Sequence, residues 1–120
     1  GTHRQSLRDE AITAMDKGIA IFVTEYGTCD ASGNGNYDTV ETQLWFDFLD
    51  KYKISYCNWS IADKDETASA LLPGTNPYGG WKDYDLTASG LFVKENMIMK
   101  NKPIFDSLVK TEKTKEKKKK

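Results

Sequence analysis

Apolar and polar positions alternate along the chain in blocks whose period changes. Over residues 6–17, Leu7, Ala11, Ala14 and Met15 recur at helical spacing behind Ser6, a suitable N-cap, with Asp9 and Glu10 expected in the first turn. Gly18 is placed to stop that helix. Residues 19–24, Ile-Ala-Ile-Phe-Val-Thr, form an apolar run without alternation, as in a parallel strand covered on both faces. A polar glycine-containing loop follows. Then Val40, Leu44, Phe48 and Leu49 mark the apolar face of a second helix ending near Lys51, and Asp38 with Glu41 reads as a capping box. Residues 54–59 predict a second strand, residues 60–85 a long Gly/Pro-containing loop, and residues 89–100 a third helix with Leu91, Phe92, Glu95, Met97 and Ile98.

Helix, strand, helix, strand, helix is the order of βαβ units, in which parallel strands are joined by right-handed crossovers. Two strands alone leave both sheet edges open, and a closed eight-stranded barrel takes about 250 residues. The 120 residues are therefore expected to be one part of a larger α/β domain. The start, Gly1-Thr2-His3, has neither an initiator Met nor a signal-peptide pattern, as expected of the middle of a longer protein.

The net charge of −1 conceals an asymmetry. Residues 110–120 carry seven Lys and two Glu, so the rest of the chain is acidic. An acidic body argues against a nucleic-acid surface, and the Lys-rich end reads as a solvated, disordered tail over residues 101–120. No apolar run approaches the roughly 18–20 residues that span a bilayer, so no membrane role is expected. Cys29 and Cys57 form no CxxC pair and His3 is the sole histidine, which makes a Cys/His zinc site unexpected and favours two buried free thiols over a disulfide.

Glu25 follows the first apolar strand, at the carboxyl end where parallel α/β folds build their sites. The bland alternative is a strand-end carboxylate meeting solvent. Trp59 holds the matching place on the next strand, with a core tryptophan as its alternative. A carboxylate and an indole flanking one cleft suit carbohydrate, whose C–H faces pack on aromatic rings and whose anomeric carbon is worked on by carboxylates. The loop beyond adds Asp63, Lys64, Asp65 and Glu66, able to bond sugar hydroxyls or simply to face water. A competing pattern, Asp30-x-Ser32-x-Asn34-Gly35-Asn36-x-Asp38-x-x-Glu41, matches an EF-hand calcium loop but lacks the entering helix and the usual second copy. No phosphate loop and no Ser/His/Asp triad is present.

Taken together, Val23-Thr24-Glu25-Tyr26-Gly27, Asp30-Ala31-Ser32-Gly33-Asn34-Gly35, Asn58-Trp59-Ser60-Ile61-Ala62-Asp63-Lys64-Asp65-Glu66 and Gly79-Gly80-Trp81 resemble the C-terminal part of bacterial glycoside hydrolase family 5 cellulases, over residues 1 to about 100. The resemblance implies a (β/α)8 TIM barrel of which this chain holds the sixth helix to the eighth helix, incomplete on its own. It implies retaining endo-hydrolysis of β-1,4-glucan without metal or cofactor, and an extracellular setting dictated by a polymeric substrate. Glu25 matches the nucleophile, Trp59 the cleft tryptophan, Lys64 and Glu66 the polar residues that bind glucose hydroxyls, and Ala31 a backbone contact to sugar. His3 falls where the family carries a His/Tyr cluster. The second catalytic carboxylate belongs to an Asn-Glu-Pro motif that these residues lack. Its partner is thus the missing N-terminal part of the barrel, without which the chain is expected to be inactive. The alternative is a non-catalytic carbohydrate- or calcium-binding module.

Overall fold

The computed structural model describes residues 3–117, with side-chain surroundings as far as residue 108. In chain order they form α1 (Gln5–Asp16), β1 (Val23–Tyr26), α2 (Thr39–Tyr52), β2 (Tyr56–Asn58), a 3-10 turn at Asp83–Asp85 and α3 (Ala88–Lys117). β1 and β2 are parallel neighbours in a two-stranded sheet, as the alternating order requires.

The helix ends depart from expectation in instructive ways. α1 begins one residue early, with Arg4 as its N-cap in extended conformation and no side-chain cap bond; Ser6 lies inside the first turn, and Asp9 and Glu10 lie beyond it. Gly18, at φ +79°, closes the helix by donating its amide to the Met15 carbonyl at 2.8 Å. In α2 only half of the capping box forms. Asp38 Oδ1 accepts the Glu41 amide at 2.9 Å, which holds the Asp38 carboxyl below its ordinary range, while the Glu41 side chain turns to Arg8. α3 is capped by Thr87, whose hydroxyl oxygen accepts the Gly90 amide at 3.0 Å.

The buried face of α2 is rotated from the one its apolar spacing suggested. Val40 is 72% exposed and Leu44 is also exposed, whereas Phe46 is fully buried. The reason is aromatic: Phe46 meets Tyr26 edge-on at 5.5 Å and stacks on Tyr56 at 5.7 Å and Phe92 at 5.9 Å. Such pairs contribute about 0.5–1.5 kcal/mol each beyond area burial. Beside it, Phe48, Leu49 and Ile54 pack with Ala11, Ile12, Met15, Val23 and Tyr56, so α1, α2 and one face of the sheet share a core.

The other face of the sheet is uncovered. Ile19 and Phe22, expected to be sheathed, are exposed and precede the strand proper, which begins only at Val23. α3 also departs from its expected end near Lys100 and continues through Pro103 to Lys117. Lys and Glu are good helix formers, so a Lys-rich segment can extend a helix where apolar periodicity fades. The expected disorder of the tail thus meets a helix as far as Lys117, and residues 118–120 lie outside the described residues. Both cysteines are free; Cys29 is buried, but Cys57, on the uncovered sheet face, is exposed rather than buried.

Candidate active site

Register creates the site. Val23 pairs with Tyr56 and Tyr26 with Asn58, so three steps along β1 answer two along β2. This is a β-bulge, one extra residue in one strand. Both Val23 and Tyr26 thereby reach the helix-covered face, although residues three apart in a regular strand lie on opposite faces. Thr24 and Glu25 are left exposed in the bulge. Without it, Tyr26 and Val23 could not both pack, and Glu25 would be re-aimed.

Trp59 follows β2 directly. Its amide donates to the Tyr26 carbonyl at 2.7 Å, and the Asn58 side-chain amide reaches the same oxygen at 3.4 Å, which ties the carboxyl ends of the two strands together. Trp59 is 47% exposed. The peptide bond from Trp59 to Ser60 is cis.

Two loops frame these strand ends. In the first, the Asp38 amide donates to Thr28 O at 2.9 Å and the Gly33 amide to Asp30 O at 3.0 Å, folding the segment back on itself. Gly33 and Gly35, at φ +85° and +89°, occupy left-handed backbone that a side chain would strain, and a Cβ on Gly35 would overlap the Asp30 carboxylate. In the second, Ser60 and Ala62 accept from Ala70 and Leu71, and Ser69 Oγ both donates to Ala62 O at 2.5 Å and accepts the Lys64 amide at 3.0 Å. The loops are clasped by the Ala68 amide on Gly33 O at 2.9 Å and by Thr67 Oγ1 on Gly35 O at 3.0 Å.

A cavity of about 310 Å3 lies at this junction, and His3, Glu25, Ala31 and Trp59 all line it. Glu66 stands next to its wall: a Cβ on Gly33, itself a lining residue, would lie 3.5 Å from the Glu66 carboxylate. Lys64 is exposed on the second loop and does not reach the wall. Sequence reasoning missed Thr28, Cys29, Thr42 and Trp45, which also line the cavity. Of these, only the position of Thr28 and Cys29 just past a strand end was a readable signal; Thr42 and Trp45 come from α2.

The cavity lining is chemically mixed. Glu25, Trp59, His3, Asp30 and Ala31 line it from the strand ends, the first loop and the segment before α1. Leu7, Val23, Phe46 and Leu49 add apolar lining from α1, β1 and α2. Among the described residues β1 has a single neighbour, so its other edge carries unpaired peptide groups.

Burial sets the protonation of two groups. It pushes the Tyr26 hydroxyl far above its ordinary range, with Tyr56 adding to the shift, so Tyr26 stays a neutral phenol. Burial, followed by the nearby carboxylates of Asp30 and Glu66, raises the Cys29 thiol. Among the described residues, the Glu25 carboxylate has no hydrogen bond or ion pair, and no three His, Cys, Asp or Glu side chains gather as metal ligands would. In the calcium-like loop, Asp38 caps α2 and Glu41 pairs with Arg8, so the pattern's last two acidic positions are engaged elsewhere. No helix of the described residues is long and apolar enough to cross a membrane.

Residues 2–65 match the family model Cellulase (glycosyl hydrolase family 5). An endoglucanase of Clostridium saccharobutylicum is 57% identical over 97 residues, which are 81% of this chain and 22% of that protein. A solved structure from Cytophaga hutchinsonii is 68% identical with a TM-score of 0.86, covering 88% of this chain and 35% of that one. The catalytic domain of Thermobifida fusca endoglucanase Cel5A, solved in complex with cellotetraose, is 27% identical with a TM-score of 0.71, over 79% of this chain and 31% of that one. The chain spans about a fifth of the length of the curated relatives it matches. It belongs to glycosyl hydrolase family 5, the cellulases, as a partial α/β piece of their TIM barrel.

Proposed function

We propose that residues 1–100 are the C-terminal part of the catalytic barrel of a retaining endo-β-1,4-glucanase, from its sixth helix to its eighth, and that residues 101–120 stand outside it as a tail or linker. The observation that carries this reading is the meeting of Glu25 and Trp59 at one cavity, each at the carboxyl end of a parallel strand. Among the described residues β1 is paired along one edge only, and the right-handed crossover rule puts the sixth strand along the other if α1 is the sixth helix.

In this mechanism a glucan chain lies with a glucose face on the Trp59 indole. A Glu25 carboxylate oxygen attacks the anomeric carbon, and the glycosidic bond breaks as a second carboxyl group gives its proton to the leaving oxygen. That second group then takes a proton from water, whose oxygen displaces Glu25 and restores the original configuration. The two carboxyl groups must stand about 5–5.5 Å apart. Glu25 supplies one of them and the rest of the barrel must supply the other, so the chain alone is inactive. Glu66, with Lys64 once the surrounding loops are present, bonds glucose hydroxyls, Ala31 offers its backbone and His3 binds from the cavity lining. A cellulosic polymer cannot enter a cell, so the complete enzyme works outside it.

The test is a chimera in which this chain replaces the matching segment of the Clostridium saccharobutylicum endoglucanase. It should hydrolyse β-1,4-glucan with retention, whereas the separate chain should not. Glu25→Gln in the chimera should abolish turnover and leave cellotetraose binding intact. Turnover near the parent rate would remove Glu25 from the nucleophile's role.

A further inference from the structure

Trp45 is far in sequence from His3, Glu25 and Trp59, yet it lines the same cavity. Its indole Nε1 donates to the His3 carbonyl oxygen at 2.8 Å, across 42 positions of sequence. His3 precedes the α1 N-cap, so no hydrogen bond of that helix fixes it. The indole is itself held. The Arg8 guanidinium lies 5.1 Å from the centre of its ring, within reach of a cation–π attraction. Arg8 is buried and donates to Glu41 Oε1 at 2.5 Å and to Gln5 Oε1 at 3.0 Å. The segment that leads from His3 into α1 is thus clamped to α2 by an indole and a buried ion pair.

We propose that Trp45 is a positioning residue for His3: by fixing the His3 backbone it sets where the imidazole stands on the cavity wall, and so how the glucan is bound. This rests on the reading of His3 as a substrate-binding residue. It explains why an indole N–H, rather than any bulky ring, faces this carbonyl. A phenylalanine would keep an aromatic ring beneath Arg8, with a weaker cation–π attraction, but would have nothing to donate.

Trp45→Phe in the chimera removes the donor and keeps an aromatic ring in its place, and the His3 resonance separates loss of the bond from loss of packing. One neutral hydrogen bond is worth about three- to tenfold in an equilibrium, so KM for glucan should rise by about that factor with kcat little changed. His3→Ala should raise KM comparably, and the double variant should add nothing, since Trp45 acts through His3. The His3 imidazole resonance, identified by its loss in His3→Ala, should move toward that of a free histidine in Trp45→Phe. An unchanged KM, additive effects in the double variant, or a His3 resonance that Trp45→Phe does not move would each overturn the proposal, as would a lowered melting temperature with KM unchanged. A parent chimera without glucan hydrolysis would instead defeat the proposed function, and the His3 resonance would then alone decide whether Trp45 positions that residue.

Discussion

Replacing Gly90 with alanine sets two physical effects against each other. Gly90 lies in the first turn of α3, where alanine's better helix propensity is worth up to about 1 kcal/mol. Against this, a Cβ at Gly90 would overlap the Ala70 carbonyl oxygen and lie 2.9 Å from its carbon and 3.0 Å from the Ala70 Cα. All three are backbone atoms, so no rotamer change relieves the clash and the helix end must move. Moving it strains the bond from the Thr87 amide to Ala70 O at 3.1 Å, the Thr87 hydroxyl to Ser69 O at 2.5 Å, and the buried Thr28–Ser89 hydroxyl pair at 2.6 Å. Overpacking costs about 1–3 kcal/mol and each weakened bond up to about 1 kcal/mol, so a net loss of about 2–4 kcal/mol is expected. Urea denaturation of the chimera, followed by tryptophan fluorescence, should show an earlier midpoint with an unchanged slope. KM for glucan should rise as well, because Ala70 anchors the loop that carries Lys64 and Glu66. A midpoint that stays or moves later would mean that propensity outweighs contact and that α3 is not seated against Ala70.

Trp59→Ala should reduce kcat/KM sharply while leaving the urea midpoint nearly in place, because the indole is exposed; a collapse of folding without a specific kinetic defect would return Trp59 to a packing role. Glu41→Gln should destabilise by about 3–5 kcal/mol, since it strands the buried Arg8 guanidinium, and an Arg8→Met/Glu41→Leu double variant should recover much of that; a single variant as stable as the parent would refute the buried pair. A thiol reagent at neutral pH should label Cys57 in the separate chain quickly and Cys29 slowly, because Cys57 is exposed whereas burial raises the Cys29 thiol and keeps it protonated; equal rates would contradict this arrangement.

The alternation of elements and the place of Glu25 were legible because they depend on local pattern: an apolar run that ends in a carboxylate declares a strand end. The bulge was not legible. Residues 19–24 are apolar without alternation, so one extra residue leaves no mark on their period, and only the pairing with β2 reveals it. The turned face of α2 was hidden for a different reason. Val40 and Leu44 have the right spacing, but the aromatic partners that draw Phe46 inward stand on β1, β2 and α3. Likewise Glu41 looked like a capping residue because its local neighbour was visible and its actual partner, Arg8, lies 33 residues away. Lys64, two residues before Glu66 in the sequence motif, is exposed and absent from the cavity wall, its amide held by the Ser69 hydroxyl, a tie that local pattern does not show.

The clasp between the two framing loops has a consequence for anyone who would redesign the cleft. Because the Gly33 and Gly35 carbonyls serve as acceptors for Ala68 and Thr67, and Ala68 is buried, the conformation of each loop depends on the other. A specificity loop taken from another cellulase and grafted after β1 alone would leave donors facing nothing on the loop after β2, and the reverse exchange would fail in the same way. Residues 28–36 and 60–71 form a single transplantable module, cut from two places in the gene.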